Sequence, residues 1–380
     1  MTAVELTAAV ARRALGPDAQ FAAFTDDDVV ERYALIMWTH LTEPGDGAAG
    51  RLIRQLGPAR ALRAVMDAGE TTGVLTADEF AQGRKRWMPR LSADEVENSL
   101  RIAKTNRVRI VTRADPEWPD QLDDLGDHAP LCLWVRGHPS TLSRLQRSVA
   151  LVGARAATSY GDHVALELAA DLAGGGIPVV SGGAYGIDGA AHRAAMAVGG
   201  VTVALLAGGA DRAYPAGHTQ LIDRMAEVGA VVSEVPCGSA PTKWRFLQRN
   251  RLIAAISAAT VVVEAGWRSG SLNTAAHAAA ISRGLGAVPG PITSAASAGT
   301  HRLLREFGAQ CITSAADIRE LLGEAVSPNP VATVTGDESR PRTDDATRVR
   351  DALSTRAWRD GEDIARRCGM AREEVEAILG

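Results

Sequence analysis

From residue 148 onward, short apolar runs alternate with longer stretches whose apolar positions recur at helical spacing. The short runs predict buried strands, and the longer stretches predict amphipathic helices. The predicted strands are Val149–Val152, Pro178–Val180, Val201–Leu206, Ala230–Ser233, Thr260–Val263 and Gly286–Val288. The predicted helices are Tyr160–Ala173, Ile187–Val198, His218–Val228, Asn250–Ala258 and Leu272–Ser282. This alternation predicts an α/β fold with a doubly wound, mostly parallel sheet, whose ligands bind beyond the carboxyl ends of the strands.

The chain before residue 148 divides into a helical part and a β-rich part. Residues 1–105 contain short helical runs joined by glycines, which predict a small all-α domain similar to a helix-hairpin-helix or sterile-alpha-motif-like unit. Such a unit either contacts DNA phosphates or only packs against its neighbour, and the sequence leaves both open. Val108–Thr112 and Leu131–Val135 predict two strands that extend the central sheet. The domain that contains this sheet is predicted to span residues 106–323.

The C-terminal part begins with a linker. Residues 324–346 are polar, contain prolines and show no apolar period. Residues 347–380 then contain three short helical runs, which begin near Arg348, Glu362 and Arg372. Their spacing resembles the core of a winged-helix domain, of which the sequence reaches only a part. We therefore expect a partial winged-helix-like segment.

Composition and charge narrow the class of protein. The formal net charge is -4, so any site for a polyanion must be a local patch. The four cysteines lie far apart and form neither a CxxC pair nor a metal-ligand spacing, which favours reduced thiols and a cytoplasmic protein. No apolar stretch is long enough to span a bilayer, so we expect no membrane association.

Small residues and one cation follow several predicted strands. Glycine lets a phosphate approach the backbone, and the first turn of a helix favours an anion. The same residues also serve as plain turns and helix caps, and no single loop decides between the two roles. Read as a set, they predict phosphate contacts at one edge of the sheet. The residues are Gly153, Arg155, Gly182, Gly183, Ser269, Gly270 and Ser271.

A basic stretch, Lys243–Arg251, combines cations with aromatic side chains. It carries four positive charges, and no Asp or Glu lies between Glu234 and Glu264. Cations bind phosphates and an aromatic face stacks a base, which are the two devices of single-strand binders. The alternative is a solvated basic helix start with its aromatics in the core. The candidate DNA-binding residues here are Lys243, Phe246, Arg249, Asn250 and Arg251, with Arg245 counted near the same groove.

The sequence contains no recognisable catalytic set. GxGxxG, GxxxxGK[ST], GxSxG and HExxH are all absent. His192 and His277 lie within helical runs and are interpreted as packing or solvent residues, and Asp188 as a residue that favours the helix dipole. We therefore expect no catalytic residue, no metal, no cofactor and no enzymatic activity.

Several of these segments together resemble the DNA-processing protein A (DprA/Smf) family of recombination mediators. The resemblance covers residues 108–318, and each motif alone is weak, whereas the set in this order is specific. The motifs are Val152–Arg155, Ser181–His192, Gly208–Pro215, Ser233–Glu234, Phe246–Ala254, Val263–Ser271 and Val288–Gly290.

The resemblance implies an extended Rossmann fold that binds single-stranded DNA and loads RecA recombinase onto it, as in natural transformation. It also implies a homodimer without established enzymatic activity, whose dimer and recombinase surfaces lie near residues 290–322. By position, Arg155 and Lys243 look like the residues that hold phosphates, and Phe246 looks like the residue that stacks a base. Two positions depart from the family pattern, since Tyr185 replaces an arginine and Leu247 replaces a proline.

A second interpretation is a Rossmann-type enzyme of the nucleoside-monophosphate phosphoribohydrolase kind. Those enzymes carry a Pro-Gly-Gly-x-Gly-Thr loop with a nearby glutamate. Here Glu264 and the segment Gly266–Gly270 are similar to that pattern only loosely, and the Pro-Gly-Gly is absent.

Overall fold

The computed structural model describes residues 5–16, 24–67, 73–324, 344–354 and 357–380. Compactness divides the chain into a large unit, Met1–Glu324, and a small unit, Ala325–Gly380. The predicted linker at 324–346 lies almost entirely outside the described residues. The predicted boundary between residues 105 and 106 stays a prediction.

The described strands of the large unit form one nine-stranded sheet. They are β1 (Val108–Val111), β2 (Leu133–Gly137), β3 (Val149–Gly153), β4 (Val179–Ser181), β5 (Thr202–Leu205), β6 (Ala230–Ser233), β7 (Ala259–Glu264), β8 (Gly284–Ala287) and β9 (Gln310–Cys311). Their order is β1-β2-β6-β5-β4-β3-β7-β8-β9, and β3 to β9 are parallel. β1 and β2 pair antiparallel and join the sheet at β6. The mostly parallel sheet and its two-strand extension are thus confirmed, and β9 is an additional strand.

Helices flank this sheet and form the N-terminal part. In the large unit they are α1 (Ala8–Leu15), α2 (Asp26–Leu41), α3 (Gly47–Leu56), α4 (Pro58–Met66), α5 (Ala77–Trp87), α6 (Ala93–Thr105), α7 (Ser159–Gly174), α8 (Ile187–Ala197), α9 (Thr219–Val228), α10 (Lys243–Ile256), α11 (Ser271–Ala280), α12 (Ala298–Glu306) and α13 (Ala315–Leu321). The prediction that α10 begins at Asn250 is wrong. The Thr242 hydroxyl accepts the Arg245 N–H at 3.2 Å, so this cap starts the helix at Lys243.

Apolar side chains cover both faces of the sheet. Successive residues of β3 point to opposite sides, so Ala150 and Val152 pack with α10 and α11, whereas Val149 and Leu151 pack with α7 and α8. A strand buried on both faces reads as a continuous apolar run, which is why these strands could be predicted. The result is a three-layer sandwich of helices, sheet and helices.

The N-terminal helices have a core of their own that continues into the sheet extension. Trp38 and Trp87 meet edge to face at 5.3 Å within it. Ile110 of β1 and Trp134 of β2 belong to the same apolar cluster. The buried Arg32 of α2 donates to Asp115 at 2.8 Å, just after β1. These contacts fix the N-terminal helices on the antiparallel edge of the sheet.

The small unit contains three short helices, α14 (Asp345–Ala352), α15 (Gly361–Cys368) and α16 (Arg372–Leu379). Val349, Ile364 and Val375 lie at its apolar centre. The three predicted helical runs are therefore present, and their likeness to a winged helix stays a prediction.

The sheet order creates a switch point beside β3. The chain passes from β3 to β4 on one side and later reaches β7 on the other side. Ligands of doubly wound sheets bind at such a point, outside the carboxyl ends of the strands. The loops after β3, β4 and β7 meet there.

Candidate nucleic-acid interface

A pocket of about 180 Å³ opens at this switch point. It brings together eight of the residues that the sequence predicts, from the loops after β3 and β7 and from α10. They are Gly153, Arg155, Phe246, Arg249, Asn250, Ser269, Gly270 and Ser271. Val152, Ala184, Asp188, Leu247, Ile253 and Thr274 complete its lining.

Phe246 is half-buried in the first turns of α10, with cations near its ring. The Arg155 guanidinium lies 4.9 Å from the ring centroid, and the Arg249 guanidinium lies 5.8 Å from it. The ring of Tyr214, in the loop after β5, lies 5.4 Å away. An aromatic ring close to two guanidinium groups presents a flat apolar surface beside positive charge, which suits a base and its phosphate.

Arg249 is a buried cation with unused hydrogen-bonding capacity. It is 5% exposed, and its Nη1 donates to the Leu205 carbonyl at 2.9 Å. Within the described part of the chain, its buried Nε has no hydrogen-bond partner. Burial lowers the pKa of Arg249 to about 10, an effect that Asp188 opposes and Arg155 reinforces. A guanidinium in this condition at a pocket wall favours an anion in the pocket.

Asp188 has a role that the sequence interpretation missed. Its carboxylate accepts the N–H groups of Gly182 and Ala184 at 3.1 and 3.4 Å, and so fixes the loop after β4. Burial raises the pKa of Asp188, while Arg249 and these N–H donors oppose the rise. The Gly182 N–H predicted for a phosphate is therefore directed to Asp188. A Cβ on Gly182 would lie 1.7 Å from Arg249 Nη1, so glycine here makes room for the guanidinium.

Gly183 sets the backbone conformation of the loop after β4. It has φ +68, a conformation that glycine adopts without strain. Its carbonyl oxygen lies 3.0 Å from Nδ1 of the buried His218. The His218 ring meets Tyr185 edge to face at 4.7 Å, so the tyrosine that departs from the family pattern is held at the rim of the loop.

The start of α11 forms the opposite wall of the pocket. Ser269 and Ser271 share a hydrogen bond between their hydroxyls at 2.8 Å. The Asn250 amide donates to the Gly270 carbonyl at 3.3 Å and to Asn273 Oδ1 at 3.2 Å. Asn250 therefore positions this loop, and the positive end of the α11 dipole faces the pocket.

The remaining predicted cations lie elsewhere. Arg251 is buried and donates to both oxygens of Glu234, at 2.8 and 2.7 Å. This pair directs the Arg251 guanidinium into the protein, away from a phosphate. Lys243 is exposed in the first turn of α10 but does not line the pocket. Arg245 is turned toward the N-terminal helices, where it pairs with Glu43.

Glu264 also has defined partners. Its carboxylate accepts the Thr158 N–H at 2.8 Å and the Thr158 hydroxyl at 2.6 Å. The side chain is buried, and it holds the start of α7 against the end of β7. Across the described ranges, no group of His, Cys, Asp and Glu is arranged to hold a metal ion. Nor does any described helix have the length and apolar content needed to cross a bilayer.

One known protein family matches the part of the chain that forms this pocket. The family model described as DNA recombination-mediator protein A matches residues 109–323, which include every loop of the pocket. The chain belongs to this family. The DNA processing protein DprA of Mycobacterium tuberculosis is 46% identical over 320 residues, which cover 80% of this chain and 77% of that protein. DprA of Bacillus subtilis is 36% identical over 219 residues, covering 58% of this chain and 72% of that protein.

Two solved structures of DprA proteins are similar to this fold. The structure from Streptococcus pneumoniae has a TM-score of 0.61 and 28% identity, and it covers 76% of this chain and 96% of that chain. The structure from Helicobacter pylori has a TM-score of 0.51 and 30% identity, and it covers 57% of this chain and 97% of that chain. The latter was described for its mode of binding single-stranded DNA.

Proposed function

We propose that this chain binds single-stranded DNA across the pocket at the carboxyl ends of β3, β4 and β7. The observation that carries the proposal is the cluster of Arg155, Arg249 and Phe246, in which two guanidinium groups lie 4.9 and 5.8 Å from the centroid of one aromatic ring. The wall formed by Ser269–Ser271 adds the positive end of a helix dipole. Single-strand binders combine these elements.

Each part of the surface has a distinct role in this proposal. Arg155 and Lys243 are exposed and bind successive phosphates, while Arg249 binds from the pocket wall. Phe246 stacks one base. Phosphates carry no sequence information, so sequence specificity is low. Arg251 is left out of the DNA-binding set because Glu234 holds its guanidinium.

The cellular role that we propose is that of a cytoplasmic recombination mediator without enzymatic activity, which protects incoming single strands and loads RecA onto them as a homodimer. Family membership supports this role. The proposed dimer and recombinase surfaces lie near residues 290–322. Loading predicts that the chain accelerates RecA ATP hydrolysis on single strands already covered by a single-strand-binding protein.

The DNA-binding proposal is tested by fluorescence anisotropy of labelled oligo-dT, with matched duplex beside it, at several salt concentrations. We expect preference for the single strand, and a slope of log affinity against log salt that falls by about 0.7 for each phosphate contact removed. Arg155→Ala and Lys243→Ala flatten the slope, whereas Phe246→Ala costs about 1–3 kcal/mol with little change in slope.

Arg144→Ala is the matched control, because Arg144 is an exposed arginine just before the amino end of β3, at the opposite edge of the sheet. Unchanged oligo-dT binding in all three site variants would refute the site. AMP hydrolysis by the purified protein would instead favour the phosphoribohydrolase interpretation. The contacts of Glu264 with Thr158 speak against that outcome, since both carboxylate oxygens already accept hydrogen bonds.

A further inference from the structure

We propose that Trp267 is a second base-stacking residue, so that the DNA strand crosses the pocket with one base on Phe246 and another base on Trp267. The inference rests on the proposed function and adds to it the path of the strand.

Exposed aromatic side chains are concentrated at the carboxyl edge of the sheet. The chain has four tyrosines, and three of them, Tyr160, Tyr185 and Tyr214, are exposed in the first turn of α7, after β4 and after β5. Trp244 is exposed at the start of α10, and Trp267 is exposed after β7. Exposing large aromatic surfaces is unfavourable in water, so several of them at one edge indicate a binding surface.

The sheet order places Trp267 on the far side of the pocket from Phe246. Phe246 contacts Tyr214 after β5 and Arg155 after β3, whereas Trp267 follows β7. The order β5-β4-β3-β7 separates the ends of β5 and β7 by three strand spacings, or about 15 Å. Ser269 lines the pocket only two residues after Trp267. The phosphate-binding pocket therefore lies between the two aromatic rings.

The surroundings of Trp267 suit a base better than an apolar partner. The Arg302 guanidinium lies 5.2 Å from its ring centroid, and Arg302 Nε donates to Glu306 at 2.8 Å, which fixes the cation. The indole is still 58% exposed, so ring surface remains for a ligand. Arg268, the next residue, is also exposed. A flat ring among cations is complementary to a base joined to phosphates.

The experiment compares Trp267→Ala and Trp267→Phe with the wild-type chain on oligo-dT of about 4 and about 12 nucleotides, which bracket the usual site sizes. We expect Trp267→Ala to weaken binding of the longer oligonucleotide about tenfold and that of the shorter one little. Trp267→Phe keeps a stacking ring and retains most of the affinity. Addition of oligo-dT quenches tryptophan fluorescence in the wild type, and part of that quenching disappears in Trp267→Phe.

Trp358→Ala is the control, since Trp358 is 89% exposed and belongs to the small unit. Unchanged affinity of Trp267→Ala for both oligonucleotides, with Phe246→Ala weakened, would overturn the second stacking position and leave the proposed function standing. An equal loss on both lengths would overturn it too, because Trp267 would then act at the same position as Phe246. A change in molar mass without a change in affinity would assign Trp267 to a protein interface. Failure of the wild type to bind oligo-dT would overturn both proposals.

Discussion

The Glu43 carboxylate accepts hydrogen bonds from Nε and Nη2 of Arg245, at 2.9 and 3.0 Å. Glu43 lies between α2 and α3, whereas Arg245 directly precedes Phe246 in α10. Glu43 also pairs with Arg90. Burial alone would raise the pKa of Glu43, but the hydrogen bonds from both arginines outweigh it and hold the pKa below its usual value. The N-terminal helices therefore restrain a cation of the candidate DNA-binding helix.

Glu43→Gln should increase the affinity for single-stranded DNA. The substitution removes the negative charge that holds Arg245, so the guanidinium becomes able to bind a phosphate. We expect binding a few times tighter, and a slope of log affinity against log salt steeper by about 0.7. Anisotropy titrations of oligo-dT at several salt concentrations measure both quantities.

Glu79→Gln provides the matched control. Glu79 also pairs with an arginine, Arg51, but in the N-terminal helices only. Its substitution should leave both the affinity and the slope unchanged. If Glu43→Gln gave the wild-type slope, Arg245 would not reach the DNA backbone.

Arg251→Ala should act on stability and not primarily on DNA binding. The side chains of Arg251 and Glu234 are only 4% and 7% exposed, so removing the cation leaves a buried carboxylate unpaired. We expect the free energy of unfolding to fall by about 3–5 kcal/mol in urea denaturation. The double variant Arg251→Met, Glu234→Leu should recover most of this loss, because it removes both charges together.

Arg155→Ala is the reciprocal comparison. Arg155 is exposed, so its removal should change the free energy of unfolding by no more than about 0.5 kcal/mol while it weakens oligo-dT binding. If Arg251→Ala were as stable as the wild type but bound oligo-dT more weakly, Arg251 would count among the phosphate-binding residues.

The sequence predicted the sheet because its central strands are buried on both faces and read as apolar runs. It also predicted which loops meet, since parallel strands bring residues such as Gly153 and Ser269 to one edge. The start of α10 could have been predicted, because Thr242 is a recognisable N-cap directly before the basic stretch. The sequence prediction nevertheless began the helix at Asn250. β9 has only two residues, too few for an apolar pattern.

The partners of the charged side chains could not be predicted in the same way. Arg245 and Arg251 belong to one basic run, but Arg245 pairs with Glu43, 202 positions away, and Arg251 pairs with Glu234. The sequence interpretation assigned Asp188 only to the helix dipole. Its N–H partners could not be predicted, because they depend on how the loop after β4 folds back. Tertiary contacts therefore decide which cations of a basic stretch remain available to a ligand.

His192 should make the fold sensitive to acid. The Thr202 hydroxyl donates a hydrogen bond to the Val179 carbonyl at 2.9 Å. The same hydroxyl therefore accepts the hydrogen bond from His192 Nδ1 at 2.7 Å, and the buried imidazole ring is neutral. Burial lowers the pKa of His192 to about 3. Because this pKa lies below that of an unfolded histidine, about 6.5, the stabilisation is present above that pH and is lost as the pH falls toward 3.

Urea denaturation at pH 7 and pH 5 checks this expectation. His192→Gln should be less stable than the wild type at pH 7. Between pH 7 and pH 5, however, its free energy of unfolding should fall by about 1–2 kcal/mol less than that of the wild type. His163→Gln is the control, because His163 is exposed on α7 and should leave the loss on acidification unchanged. An identical pH dependence in His192→Gln and the wild type would exclude His192 as its source.

Gly182→Ala should weaken DNA binding by moving Arg249. The added methyl group would lie 1.7 Å from Nη1, so the guanidinium must leave its place beside Leu205. We expect about a tenfold loss of oligo-dT affinity. Gly174→Ala is the control, since a Cβ there meets no atom within 4 Å, and its affinity should equal that of the wild type.

Arg249→Ala and the double variant Gly182→Ala, Arg249→Ala complete a double-mutant cycle. If the glycine acts through Arg249, the double variant binds no more weakly than Arg249→Ala alone, whereas additive losses would mean that the loop after β4 contacts DNA by itself.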